Sequence, residues 1–224
     1  MRPVPSRAEY LSSWSGLHGG YDPAGSHFVG PWLSLVYLCA RPLAAARVPP
    51  DLLTGLGLAL AGLVAWIAAV GGSWLFLCVV LVVASGLVDS LDGAVAVLTG
   101  RATAFGAVLD SVADRCSDLL YLVALWAVGA PVGVCLLGGV LMMLLEYTRA
   151  RAAAGGMTEI GVVTVWERPT RVVVTGAFLL GAAIYRDHSS ASSATWASWA
   201  SWVWAALGVV GLVQLLVVVR RRLR

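Results

Sequence analysis

Five aspartates crowd into residues 88–118, VDSLDGAVAVLTGRATAFGAVLDSVADRCSD. Asp89 and Asp92 are spaced i, i+3, and Asp110, Asp114 and Asp118 are spaced i, i+4, i+8, so each set lines one face of a helix. Their neighbours are mostly apolar. An ionised carboxylate at the centre of a bilayer costs about 2.5–3.5 kcal/mol even on the lenient insertion scale. Five would cost about 12–18 kcal/mol, comparable to the stability of a whole domain. Water, arginine partners or cations must offset that cost. Carboxylate oxygens are hard ligands suited to Mg²⁺ or Mn²⁺, and pairs of divalent ions serve phosphoryl chemistry. A proton or cation path, or a polar seam that only fixes packing, would use the same residues, and spacing alone leaves these readings open. Gly93 and Ala96 keep the first acidic helix nearly bare, so a flat group can approach its backbone, and Gly106 does the same one turn before Asp110.

The elements that carry these residues are membrane spans. The chain of 224 residues is 59% hydrophobic and 12% charged, with a mean hydropathy of +0.85. Soluble domains carry about 25% charged residues. A water-soluble fold is excluded, and the length suits one membrane domain. A span needs about 20 apolar residues. The stretches 52–70, 74–98, 103–128, 132–150, 171–185 and 196–219 qualify, if the carboxylates are allowed as functional. Gly71-Gly72-Ser73, Thr99-Gly100, Gly129-Ala130-Pro131 and two longer polar segments separate them. The expected fold is all-α and integral to the membrane, a six-transmembrane-helix bundle with an N-terminal interfacial helix. Residues 1–30 form a polar N-terminal segment, 31–49 the amphipathic interfacial helix, and 50–224 the six-span domain. Pro42 predicts a kink or break in the interfacial helix.

The basic residues set the orientation. All fifteen are Arg, and six spans place thirteen of them on one side, the exceptions being Arg186 opposite and Arg115 inside a span. That side is expected to be cytoplasmic, with both termini and the acidic cluster opening to it, in the plasma membrane. Trp196, Trp199, Trp202 and Trp204 are expected as an aromatic belt at the other interface. Cys39, Cys78, Cys116 and Cys135 lack metal-ligand spacing and read as small hydrophobes. His18, His27 and His188 lie outside the acidic cluster. The first 28 residues lack the apolar core and cleavage site of a signal peptide. No nucleic-acid partner is expected.

The pattern Asp89-x2-Asp92-Gly93-x2-Ala96, followed by Gly106-x3-Asp110-x3-Asp114, resembles the signature of the CDP-alcohol phosphatidyltransferases in residue type and spacing. The resemblance extends from about Pro50 to the last span. It implies that Asp89, Asp92, Asp110 and Asp114 ligate metal, Mg²⁺ or Mn²⁺ and two ions, with Asp114 as general base for an acceptor hydroxyl. Gly93 and Ala96 would pack on the cytidine. Thr54, in Pro50-Asp51-Leu52-Leu53-Thr54, resembles the family's nucleotide-contacting Pro-Asn-x-x-Thr element, with Asp51 in place of Asn. The family has Arg after the signature Ala; here Val97 stands there, and Arg101 is the nearest replacement if its helix continues. Glu146-Tyr147-Thr148-Arg149-Ala150-Arg151 and Glu167-Arg168-Pro169-x-Arg171 resemble two stretches of the actinobacterial phosphatidylinositol-phosphate synthases. That likeness implies Arg149, Arg168 and Arg171 as ligands for the acceptor's phosphate. The partners implied are CDP-diacylglycerol, a phosphorylated polyol such as inositol phosphate, the bilayer and a second copy of the chain.

Overall fold

The computed structural model describes residues 5–17, 22–26, 29–157, 163–188 and 192–223, so His18 and His27 lie outside the described residues. Its elements are α1 (Arg7–Leu17), α2 (Val29–Ala45), α3 (Pro50–Val70), α4 (Leu75–Thr99), α5 (Ala104–Val128), α6 (Val132–Ala154), α7 (Arg168–Ile184) and α8 (Ser193–Arg222), with single 3₁₀ turns at Pro23–Gly25 and Gly72–Trp74. No strand occurs among the described residues. Helices 21 to 30 residues long and strongly apolar at Pro50–Val70, Gly72–Thr99, Val132–Ala154 and Ser193–Arg222 can each cross a membrane. The chain is therefore a multi-pass membrane protein. Two further helices depart from that pattern. α5 has 25 residues but carries Asp110, Asp114, Arg115 and Asp118, and α7 has 17 residues.

Local chemistry ends the helices where the sequence predicts. At the end of α4, Gly100 takes φ 65°. Its N–H donates to Val97 O at 3.2 Å and that of Arg101 to Ala96 O at 2.9 Å, the paired bonds of a left-handed helix stop. The same pair of bonds closes α5 at Gly129 and α6 at Gly156. It also closes α2 at Arg47, whose φ of 58° is the only non-glycine value in that region among the described residues. Pro42 does not break α2. It sits three residues from the helix end, and its carbonyl still accepts from Ala46 N–H at 2.9 Å.

The chain divides into two compact units, and α3, α4 and α5 each run from one into the other. One unit comprises Met1–Leu58 and Ser85–Ala113. Its apolar core joins Tyr10 of α1 and Leu33, Val36, Tyr37 and Ala40 of α2 to Leu53, Leu91, Ala94, Val95 and Leu98. α1 is tied down by Arg7, whose guanidinium donates to Ser34 Oγ at 2.6 Å, and by the packing of Tyr10 on Tyr37. α2 is the helix expected at the interface. Its Leu33, Val36, Tyr37, Ala40 and Ala44 are buried in this core, while Trp32, Leu35 and Leu38 stay exposed.

The other unit comprises Ala59–Ala84 and Asp114–Arg224. Trp166 and Trp204 meet edge to face at 5.0 Å in its core, both fully buried, and Trp204 Nε1 donates to Thr175 Oγ1 at 3.2 Å. Gly211 makes the seat for Trp166, because a Cβ there would come within 2.7 Å of the Trp166 Cβ. The tryptophans expected as a belt divide between roles. Trp204 is core, Trp199 and Trp202 are exposed, and Trp196 stacks on Tyr185 at 5.4 Å.

Within the first unit, α3 and α4 approach closely beside the acidic residues. Ser85 Oγ donates to Gly57 O at 2.9 Å, and one turn on Thr54 Oγ1 donates to Asp92 Oδ2 at 2.6 Å. A Cβ at Gly57 would meet Ser85 O, Asp89 N and Val88 Cγ1, each at 3.8 Å, which is ordinary contact. Gly57→Ala is therefore expected to be neutral or stabilising by up to about 1 kcal/mol, through helix propensity. Gly57→Leu overpacks the crossing and is expected to cost about 1–3 kcal/mol. Thermal unfolding of both variants in detergent checks this ordering; equal midpoints would contradict it.

Candidate active site

The acidic residues of α4 and α5 divide by what holds them. Asp89 and Asp110 belong to the first unit, and one carboxylate oxygen of each lies within 4.8 Å of the other. Only the short turn that begins at Gly100 separates α4 from α5. Asp114, one helical turn beyond Asp110 on α5, brings its own oxygen within 4.8 Å of Asp110's. Ligands of a divalent cation sit about 2.0–2.6 Å from the ion, so oxygens sharing one ion are separated by about 3–5 Å. The donor set is all carboxylate, the spacing is right, and the three residues are half-buried. These side chains fit a hard divalent cation.

Asp92 is held differently. It is 5% exposed, accepts from the Thr54 hydroxyl through Oδ2, and accepts from its neighbour Gly93 N–H through Oδ1 at 2.5 Å. Thr54 thus acts on the carboxylate cluster, a contact that its sequence motif did not reveal. Gly93 itself is exposed, and a Cβ built on it would meet nothing within 4 Å. Ala96, one turn further, is half-buried. The stretch of α4 beside Asp92 is as bare as its sequence suggests. Val97 packs partly against the Leu53–Leu98 core. Arg101 lies beyond the left-handed stop at Gly100 and is exposed, so the condition under which it would continue the α4 face is not met.

In the second unit, carboxylates and guanidinium groups are matched four to four. Arg168 Nη1 stands 2.5 Å from Asp114 Oδ1, and Arg115 Nη2 stands 3.3 Å from Asp114 Oδ2. Arg171 joins Asp118 at 3.0 Å and Glu146 at 3.2 Å, with Asp118 fully buried and Arg171 only 1% exposed. Arg115 reaches Glu146 at 2.8 Å, and Arg149 forks onto Glu167 at 2.7 and 3.2 Å. These contacts bind α5, α6 and the start of α7 to one another. The three arginines expected at the acceptor's phosphate are all here, each paired with a carboxylate. Glu146 and Glu167 stand in the two stretches that carry the resemblance, but sequence alone assigns no role to them or to Arg115. His188 packs edge-on against Tyr185, away from this network.

The loop before α7 is built to present two of these charges. Trp166 anchors it in the core, and its Val165 N–H donates to Gln214 Oε1 of α8 at 3.0 Å. Glu167 Oε1 accepts from Thr164 N–H at 2.8 Å and from Thr164 Oγ1 at 2.9 Å. Burial alone would push the Glu167 carboxyl up, but the Arg149 fork and the two Thr164 donors outweigh it and hold it below the ordinary value of 4.5. A depressed carboxylate adds stability above its unfolded pKa and loses it as pH falls through the folded value. Glu167→Gln is thus expected to lower stability by about 1.5–3 kcal/mol near neutral pH, the worth of hydrogen bonds to a charged group. The deficit should shrink below pH 4.5. Unfolding midpoints of both proteins across acid pH check this; a deficit independent of pH would contradict it.

Comparison with known proteins identifies the family. Residues 47–212 match the family model described as CDP-alcohol phosphatidyltransferase. An archaetidylinositol phosphate synthase of Aeropyrum pernix is 32% identical over 156 residues, 67% of this chain and 67% of that protein. A phosphatidylinositol phosphate synthase of Mycobacteroides abscessus is 34% identical over 151 residues, 63% of this chain and 67% of that protein. The crystal structure of Mycobacterium tuberculosis phosphatidylinositol phosphate synthase with CDP-DAG bound superposes with a TM-score of 0.66 at 30% identity, covering 83% of this chain and 94% of that one. The structure of the same enzyme in complex with manganese and citrate gives a TM-score of 0.65, covering 82% and 88%. The family model spans most of the chain: the chain is an enzyme of the CDP-alcohol phosphatidyltransferase family.

Proposed function

We propose that this enzyme transfers the phosphatidyl group of CDP-diacylglycerol to a hydroxyl of a phosphorylated polyol, inositol phosphate being the best match, and releases CMP. The observation that carries the reading is the joint presence of an all-carboxylate cluster fit for divalent cations and a cluster of arginines fit for a phosphate. Relatives named for inositol phosphate products support the choice of acceptor.

In this reading Asp89, Asp92, Asp110 and Asp114 hold two divalent cations, Mg²⁺ or Mn²⁺. When bound, such ions neutralise the pyrophosphate and the departing nucleotide. Thr54 keeps Asp92 aimed, and the bare backbone at Gly93 and Ala96 receives the cytidine. Arg101 reaches the nucleotide from the loop rather than from the helix. Arg149, Arg168 and Arg171 receive the acceptor's phosphate, whose charge competes with the carboxylates that hold them in the free enzyme. Asp114 takes the proton of the acceptor hydroxyl. That oxygen then bonds to the β-phosphorus, and the bond from the β-phosphorus to the bridging oxygen breaks, so that CMP leaves with the electron pair. The layout is that of six spans, with α5 and α7 completing the apolar set, a cytoplasmic active site and termini in the plasma membrane, and a homodimer.

A second reading has one observation in its favour. The guanidinium that the family places after the signature Ala is absent at Val97, and Arg101 does not continue the helix that would restore it. The chain would then bind CDP-lipid and turn it over poorly. A charge-assisted contact is worth about 1.5–3 kcal/mol, roughly ten- to a hundredfold in rate or affinity.

CMP release by the purified protein, with CDP-diacylglycerol and a panel of alcohols, tests both. Release with inositol phosphate well above that with inositol, glycerol phosphate or water supports the main reading, and Asp114→Asn is expected to abolish it while CDP-lipid binding persists. Saturable CDP-lipid binding without release for any acceptor favours the second reading. Near wild-type release by Asp114→Asn overturns the assignment of the base.

A further inference from the structure

A groove on α8 is lined by none of the residues of the carboxylate and arginine clusters. It has a volume of about 570 Å³ and is lined by Val163 and by Val210, Val213, Gln214 and Val217 of α8. All four valines are exposed, and Val210, Val213 and Val217 sit on a helix long and apolar enough to cross a membrane, so this face of α8 is open to hydrocarbon. Gln214 is its polar feature. An N–H can only donate, so the bond from Val165 occupies the Gln214 oxygen and leaves its amide nitrogen as the donor this lining residue can offer.

The helical register continues the groove into positive charge. Val210, Val213 or Gln214, and Val217 follow one another at i+3 and i+4, and the next positions on that stripe are Arg220 and Arg221. Both arginines are exposed in the last turn of α8. An apolar trough, an amide donor along its length and guanidinium forks at its end match, in that order, an acyl chain, an ester carbonyl and a phosphate. We propose that this stripe is a binding site for an anionic glycerophospholipid of the surrounding bilayer. The acyl chain lies along Val210, Val213 and Val217, Gln214 donates to an ester carbonyl, and Arg220 and Arg221 hold the phosphate headgroup. The site is separate from the one at which donor and acceptor react, and it stands whether or not the proposed acceptor is correct.

Native mass spectrometry of the full-length protein, released from detergent micelles holding equal amounts of phosphatidylglycerol and phosphatidylcholine, tests the site. The wild type is expected to retain phosphatidylglycerol at least fivefold over phosphatidylcholine. The double variant Arg220→Gln, Arg221→Gln is expected to lose that preference, and Val213→Trp, which fills the trough, to lose retention of both lipids. Size-exclusion profiles and unfolding midpoints establish that the variants are folded. Should Val213→Trp not fold, the double variant decides alone. Equal retention of the two lipids by the wild type, or an unchanged preference in the double variant, overturns the proposal. A change in subunit number caused by Val213→Trp also overturns it, because a second copy of the chain would then occupy the groove.

Discussion

The structure depends on how negative charge is tolerated within apolar helices. An ion taken out of water carries a penalty of several kcal/mol after relaxation, and a close opposite charge repays it only when geometry is good. The unit formed around α6, α7 and α8 meets this constraint by pairing. Asp114, Asp118, Glu146 and Glu167 face Arg115, Arg149, Arg168 and Arg171, so the cluster is formally neutral. Such a network adds little net stability compared with an apolar core, but removing one partner of its fully buried pair, Asp118 with Arg171, strands the other and costs about 3–5 kcal/mol. Its consequence is geometric. α5, α6 and α7 cannot slide past one another without breaking several pairs at once, so Asp114 is fixed by residues far from it in sequence.

The unit that holds α2 and the ends of α3 and α4 answers the same constraint differently. Asp92 is satisfied by a hydroxyl and an amide N–H, while Asp89 and Asp110 stand with their oxygens close together. Like charges at that separation favour a cation between them. One helix therefore carries two kinds of carboxylate. Asp110 is oriented toward another acid, and Asp118, two turns on, is sealed against Arg171. That contrast separates a carboxylate whose surroundings fit a cation from one whose surroundings are structural.

Much of this was legible before any coordinates. Hydropathy located the long helices to within a few residues, because Gly100 and Gly129 can take left-handed conformations that other residues resist, and Pro131 ends the turn before α6. The i, i+3 and i, i+4 spacings put the acids on helix faces, and Asp89 and Asp110 do approach one another. Other features were not legible because they depend on tertiary neighbours. Thr54 read as a nucleotide contact, and its hydroxyl turns to Asp92 thirty-eight positions away. Trp166 read as part of a polar connection, yet it fills the core over the bare backbone of Gly211. Arg149, Arg168 and Arg171 read as a phosphate site, and only the structure reveals the carboxylates that occupy them first.

The central claim, that Asp110 stands in a cluster fit for a cation whereas Asp118 is an arginine-paired structural residue, has a direct test. Electron paramagnetic resonance can follow a titration of Mn²⁺ into the purified protein, its Asp110→Asn variant and its Asp118→Asn variant, each verified as folded. Saturable Mn²⁺ binding is predicted for the wild type and for Asp118→Asn, with strong loss in Asp110→Asn. Equal loss in both variants, or no saturable binding in the wild type, would contradict the account.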